Sequence, residues 1–191
     1  MKKIMLFSLL ALLVMSCSND DDYNENNPVQ QDQSGGQTGD DSSSDDSSDE
    51  APAAIIRIVG VDADEDLVII SNLGGQPQEV GNYWLCLGPG RYGEVSGLTG
   101  EATLLGANET ITLTFAMNDD ADGLSLFSTN TFASTSPDVL LDYVQWGAGN
   151  GPRVGQAITA GRWDNAGAFV PFAGDYSFNG SADQFGSDFW E

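Results

Sequence analysis

The chain of 191 residues contains no histidine, and only six basic residues stand against 29 acidic ones. Without histidine there is no Ser-His-Asp triad, no Cys-His dyad and no imidazole ligand for a metal. The two lysines, Lys2 and Lys3, sit at the extreme N-terminus, so the remainder offers no amine for Schiff-base or lysine-base chemistry. The arginines are Arg57, Arg91, Arg153 and Arg162. They are too few and too scattered to form the basic patch that a phosphate backbone requires, which argues against a nucleic-acid partner. Cysteine is scarce too, with Cys17 and Cys86 alone. Cys86 lies in the apolar run Tyr83-Trp84-Leu85-Cys86-Leu87 and reads as a small buried hydrophobe. The glycines of "GPGRYG" (88–93) lack the strand-to-helix setting of a phosphate loop. Carboxylates are abundant, but nothing in their spacing sets two across a scissile bond. The chain reads as non-catalytic.

What is present begins with an address. Lys2-Lys3 precede an apolar stretch from Ile4 to Met15, the pattern of a secretory signal peptide and too short to span a bilayer. Leu13-Val14-Met15-Ser16-Cys17 resembles the lipobox of bacterial lipoproteins. The resemblance implies removal of residues 1–16 and acylation of Cys17, and several acyl chains together anchor a protein stably. Ser18 then precedes Asn19 and the acidic run Asp20, Asp21, Asp22. That run is similar to the export signal of Bacteroidota-type surface lipoproteins and implies an outer-membrane lipoprotein facing the cell surface. Residues 18–54 are almost free of apolar side chains, as in "SGGQTGDDSSSDDSSDE". Such a segment cannot bury enough surface to offset backbone entropy, so 17–54 is expected to be a lipidated cysteine followed by a disordered acidic tether. As a flexible coil it would span roughly 35 Å.

Residues 55–191 suit one domain. Short runs with period-two alternation and β-branched residues recur between Gly, Asn and Asp: "IIRIVGV" (55–61), "DLVIISN" (66–72), "NYWLCLG" (82–88), "ETITLTF" (109–115), "GLSLFST" (123–129) and "DVLLDYVQW" (138–146). In "TITLTF" apolar Ile111, Leu113 and Phe115 alternate with threonines, as in an antiparallel strand with one wet face. No amphipathic helix stands out, and "GAGNGPRVGQ" (147–156) reads as a Gly-rich loop. The expected fold is all-β, an immunoglobulin-like antiparallel β-sandwich preceded by the acidic linker.

The order of these strands resembles the lamin-tail domain, an immunoglobulin-like family of nuclear lamins and bacterial surface proteins. Asp66 to Asn72 is similar to its "E-y-V-E-l-x-N" strand, and Val80 to Leu85 to its "L-s-G-W-x-L" strand. Leu104 to Ile111 takes the place of "l-a-p-G-e-x-l", Asp122 to Phe127 that of "G-d-x-l-x-L", and Val139 to Gly147 that of "v-D-x-v-x-y-g". Asn82 and Asn108 stand where the family favours Gly. The resemblance implies a binding or structural module that displays loops and sheet edges to a protein or glycan, or serves as an envelope structural element.

Two further features are candidates for ligands. "NDDADG" (118–123) sets Asn118, Asp120 and Asp122 at alternate positions before Gly123, as at the start of a calcium loop, although position twelve is Thr129 rather than Glu. "DADED" (62–66) repeats the alternation less well, and both stretches equally suit turns between strands. The C-terminal segment holds eight aromatics from Trp163 to Trp190. Phe169, Phe172, Tyr176 and Phe178 are expected to close the core, with Trp163 and Trp190 the exposed pair on which a carbohydrate could stack. Calcium-dependent or aromatic-platform carbohydrate binding is therefore the alternative function. Arg153 and Arg162 flank the segment and are expected to hold carboxylates. The address makes one prediction. Cys17→Ala abolishes incorporation of a fatty-acid label and moves the protein from the membrane to the soluble fraction; a variant that keeps the label is acylated elsewhere.

Overall fold

The computed structural model describes residues 50–171 and 174–191. The expected signal peptide, Cys17, Ser18, Asp20 to Asp22, the tether as far as residue 49, and Phe172 lie outside the described residues.

The described residues form ten strands: β1 (Ile56–Asp62), β2 (Leu67–Asn72), β3 (Gln78–Glu79), β4 (Trp84–Gly88), β5 (Arg91–Glu94), β6 (Leu104–Leu105), β7 (Thr110–Thr114), β8 (Asp122–Phe127), β9 (Leu140–Trp146) and β10 (Asp175–Ser177). One sheet runs β10-β1-β2-β7 and the other β5-β4-β8-β9, all pairings antiparallel. The chain is an all-β antiparallel sandwich, as the alternation predicts. Each of the six expected strands is present, displaced by at most two residues at an end. The chain crosses between sheets after β2, returns before β7, crosses again to β8 and returns to β10. The first two crossings carry β3 and β6, which pair with each other.

Register explains the core. Ile58, Ile70 and Ile111 form one row across the first sheet, and Val61, Val68 and Leu113 another. Leu85 and Leu126 face them from the second sheet, as do Leu124 and Val144. All are buried. Trp146 of β9 reaches Tyr176 of β10 at 6.0 Å between rings, closing that end.

Strands β8 and β9 of the second sheet are buried on both sides. Cys86, Ser125 and Tyr143 form a row on its far face, where the excursion between β9 and β10 covers them. Trp163 meets Tyr143 edge-on at 5.5 Å. Gln145 pins the excursion: its Oε1 accepts the Tyr143 hydroxyl (3.0 Å) and the Gly151 N–H (2.9 Å), and its Nε2 donates to the carbonyls of Ala166 and Ala168. Burial raises the Tyr143 hydroxyl pKa strongly, with the Asp122 charge adding to the effect.

Three expectations change. Helices exist: α1 (Val95–Leu98) and α2 (Val154–Thr159). Both are one or two turns long and lack the length for a periodic signal, and α2 takes the last three residues of the expected 147–156 loop. Residues 52–54, expected to belong to the tether, lie in a stretch tied to a later turn. The Pro52 carbonyl accepts the N–H groups of Gly75 and Gln76 at 3.0 Å each, and Asn72 Oδ1 accepts the Ile55 N–H at 3.1 Å. The short Ala-Pro-Ala-Ala sequence gives no sign of this, because the partners lie in a later turn.

Arg57 and Asp142 join the sheets. Both side chains are 1% exposed and Arg57 Nε lies 2.8 Å from Asp142 Oδ2. The same carboxylate accepts the N–H of Ile58 (2.8 Å) and of Tyr143 (2.9 Å). Burial pushes the Asp142 pKa up, and the Arg57 charge and these donors pull against it. Arg57 Nη1 donates to the carbonyls of Ala182 (2.9 Å) and Gln184 (2.8 Å), and the guanidinium lies over the rings of Phe178 (4.6 Å) and Phe185 (4.0 Å). Removing one member strands the other in a dry site, so Arg57→Met costs about 3–5 kcal/mol in denaturant unfolding. Arg57→Met with Asp142→Leu recovers part of that loss; a double variant as weak as the sum of the singles would show that the two residues act independently.

Candidate functional site

The candidate cation loop is not a turn between paired strands. β7 and β8 lie in different sheets, so 115–121 is a crossover. Asp122 is buried and its carboxylate is engaged: Arg91 Nη2 lies 2.8 Å from Oδ2, Oδ2 accepts the Asn118 N–H (3.3 Å) and Oδ1 the Gly123 N–H (2.9 Å). Asn118 and Asp120 are exposed, and the Asn118 carbonyl accepts the Trp146 indole N–H at 3.1 Å. Among the described residues no three His, Cys, Asp or Glu side chains are grouped to hold a metal. In "DADED" the acids build the β1–β2 turn. Asp62 Oδ1 accepts the Glu65 N–H at 3.0 Å. Asp66, at φ 58°, takes the Met117 N–H on Oδ1 at 2.7 Å and so fastens the exit of β7.

The aromatic expectation is reversed. Trp163 and Trp190 are 4% and 7% exposed, so neither offers an open face. Trp163 packs on Tyr143 and its indole N–H donates to the Ala168 carbonyl (2.9 Å); Trp190 packs on Phe178 (5.7 Å). Phe169, assigned to the core, is 40% exposed, while Tyr176 is buried as expected. For Trp163 the indole N–H is the physical reason: a tryptophan can be buried where a carbonyl meets that donor. Arg162 holds carbonyls rather than a carboxylate, those of Leu140 (3.3 Å) and Pro137 (3.0 Å), and lies over Phe185 at 4.3 Å. Cys86 is fully buried, with its thiol 3.7 Å from the Gly88 carbonyl.

A group of surface aromatics lies elsewhere, around the β4–β5 hairpin. "GPGR" is its turn: Gly88 pairs with Arg91, and Gly90 has the positive φ of 77° that a Pro-Gly type II turn demands. The hairpin sets Cys86 opposite Tyr92 and Trp84 opposite Glu94, placing both aromatic rings on one face. Trp84 and Tyr92 are 6.0 Å apart between ring centres. Phe132, from the β8–β9 loop, completes the group at 5.8 Å from Trp84 and 5.0 Å from Tyr92. Fully buried Phe127 supports Phe132 edge-on at 5.4 Å. Trp84 and Phe132 are half-buried, whereas Tyr92 is 52% exposed. The cluster is thus a tilted aromatic surface with Tyr92 its most exposed member. Glu94 and Thr131 are exposed on the elements that carry it. Such a surface can stack on the C–H face of a sugar or take an apolar side chain of a protein. Tyr92 was hidden in sequence by its glycine neighbours, and Phe132 by its loop "STNTFASTS".

Comparison with family models, curated proteins and solved structures finds no match to this chain.

Burial predicts losses of different size for two aromatic truncations. Trp163→Ala lowers unfolding free energy by about 3–5 kcal/mol, and Tyr92→Ala by less than about 1 kcal/mol. Equal losses would mean that Tyr92 is part of the core.

Proposed function

We propose that the protein is a lipid-anchored outer-membrane module that faces the cell surface and binds a protein or glycan partner without catalysis. The observation that carries this reading is the half-exposed Trp84–Tyr92–Phe132 cluster, held rigid by Phe127. Aromatic rings so fixed lose little entropy on binding, which is why they dominate binding hot spots. The lipobox around Cys17 and the acidic run Asp20 to Asp22 support the address. A tether of roughly 35 Å lets the domain reach past its neighbours.

The lamin-tail reading draws support from topology. Taken as strands A, B, C, C′, E, F and G, the elements β1, β2, β4, β5, β7, β8 and β9 distribute as A-B-E against C′-C-F-G, an immunoglobulin-like arrangement. The residues of the resemblance also have work in the fold. Asn72 is fully buried and uses both ends of its amide: Oδ1 accepts the N–H of Ile55 and of Gly74 (3.0 Å), and Nδ2 donates to the carbonyls of Gln76 (2.8 Å) and Leu105 (3.2 Å). Asn108, where the family favours Gly, has φ 59°, a conformation asparagine tolerates better than most residues.

Two measurements test the proposal. Proteinase K applied to intact cells removes the domain if it faces outward; protection until the outer membrane is opened overturns surface display. Screened against glycan and surface-protein arrays, the full chain binds a ligand that Tyr92→Ala weakens about tenfold or more, at an unchanged melting temperature. Binding that ignores Tyr92 removes the aromatic cluster from the reading.

A further inference from the structure

The open face of the first sheet carries a groove of about 560 Å³. Register lays out its rows. Ser177, Gly60, Ile69 and Thr112 stand side by side across β10, β1, β2 and β7. The next row is Asp175, Asp62, Leu67 and Thr114. A bulge between Ile58 and Gly60 shifts the register, and Gly60 leaves the middle of the sheet without a side chain. A glycine inside a strand marks a place where something approaches the backbone closely. A Cβ there would lie 3.1 Å from Ile69 Cδ1, so the isoleucine leans along the trough as an apolar wall. Ile69 is 37% exposed, and Val59 and Leu67 extend the apolar surface.

The rim is acidic in an unusual way. Asp62 and Asp175 are directly opposite one another on adjacent strands, where like charges destabilise a sheet. Glu191 adds a third carboxylate, its backbone paired with Ser177 (2.8 and 3.0 Å). Among the described residues no lysine or arginine lines the groove, and no ion pair includes these acids. The fold therefore holds two opposed negative charges beside an apolar trough.

We propose that this groove binds a lysine or arginine side chain presented by an extended segment of a partner protein. The aliphatic stem lies along Val59, Leu67 and Ile69, and the cationic head sits between Asp62 and Asp175. Long basic side chains bury their stems in this manner while the head seeks charge. A neutral sugar leaves the opposed aspartates unneutralised, and a bare divalent cation gains nothing from the apolar wall. A second copy of this chain is repelled by its surplus of acids, 29 against six basic residues, and its own segment 18–54 is acidic with no basic residue. The site is separate from the Trp84–Tyr92–Phe132 cluster and stands or falls independently of it.

The test titrates the isotope-labelled full chain with tetralysine and follows amide shifts. They concentrate at Gly60–Asp62, Leu67–Ile69 and Asp175–Ser177. Asp62→Asn with Asp175→Asn weakens binding about tenfold or more, and Ile69→Ser about threefold. Asp119→Asn with Asp120→Asn, an equal charge loss on the crossover, changes it less than about twofold. Asp175→Asn alone raises the melting temperature because it relieves the repulsion, which separates lost binding from lost fold. Shifts spread over the whole acidic surface, equal weakening by the two double variants, or indifference to Ile69→Ser overturns the proposal. Calcium chloride reproducing the shifts without tetralysine's dependence on Ile69 overturns it in favour of a metal site.

Discussion

The sandwich depends on a single buried charge pair. Asp142 occupies the row that Leu85 and Leu126 begin, a position where register demands an apolar residue. A carboxylate is tolerated there because three donors meet it: Arg57 Nε, the Ile58 N–H and the Tyr143 N–H. Those donors come from β1 and β9, strands of different sheets, so satisfying one carboxylate fixes how the sheets meet. An apolar pair of the same volume would pack at least as well. It would not specify the seam, since leucines slide where hydrogen bonds do not. The other side of Arg57 is occupied by Phe178, Phe185 and the Ala182 and Gln184 carbonyls, which tie the C-terminal segment to the seam. One side chain thus organises both sheets and their cover.

The second sheet shows a related economy. Its far face carries Tyr143 and Gln145, polar groups that would be wet in a bare sandwich. The excursion from Gly147 to Val170 covers them and is in turn held by them, through Gln145 and through the Trp163 indole on the Ala168 carbonyl. Covering both faces explains why every residue of β8 is buried, Ser125 and Asp122 included.

Legibility followed burial geometry. β7 was readable because one face is core and the other water, so Ile111 and Leu113 alternate with threonines. β1 and β2 were readable from their β-branched runs. β5 was not: Arg91, Tyr92, Gly93 and Glu94 lie at an edge, held by pairing with β4 rather than by apolar burial. β3, β6 and β10 are two or three residues long, below the reach of any period. For the sites, the aspartates were visible but not their partners, because Arg91 lies far from Asp122 in sequence and beside it in space. The aromatic surface was missed for the same reason: Trp84, Tyr92 and Phe132 converge from three segments, whereas the dense C-terminal cluster drew attention and turned inward. Register, which puts Asp62 opposite Asp175, joins residues far apart in the chain and leaves no local motif.

The placement of the few arginines has a consequence for survival among proteases. Enzymes of the trypsin class cut after lysine or arginine, and beyond Lys3 this chain offers four such sites. Arg57 is fully enclosed, Arg91 is ion-paired to Asp122, and Arg153 and Arg162 are half-buried around the excursion. Cleavage needs an arginine drawn into the protease with an extended backbone around it, and at these positions the fold already holds the side chain, the backbone or both. The same poverty of basic residues that leaves the surface so acidic also leaves a trypsin-like enzyme almost nothing to grip.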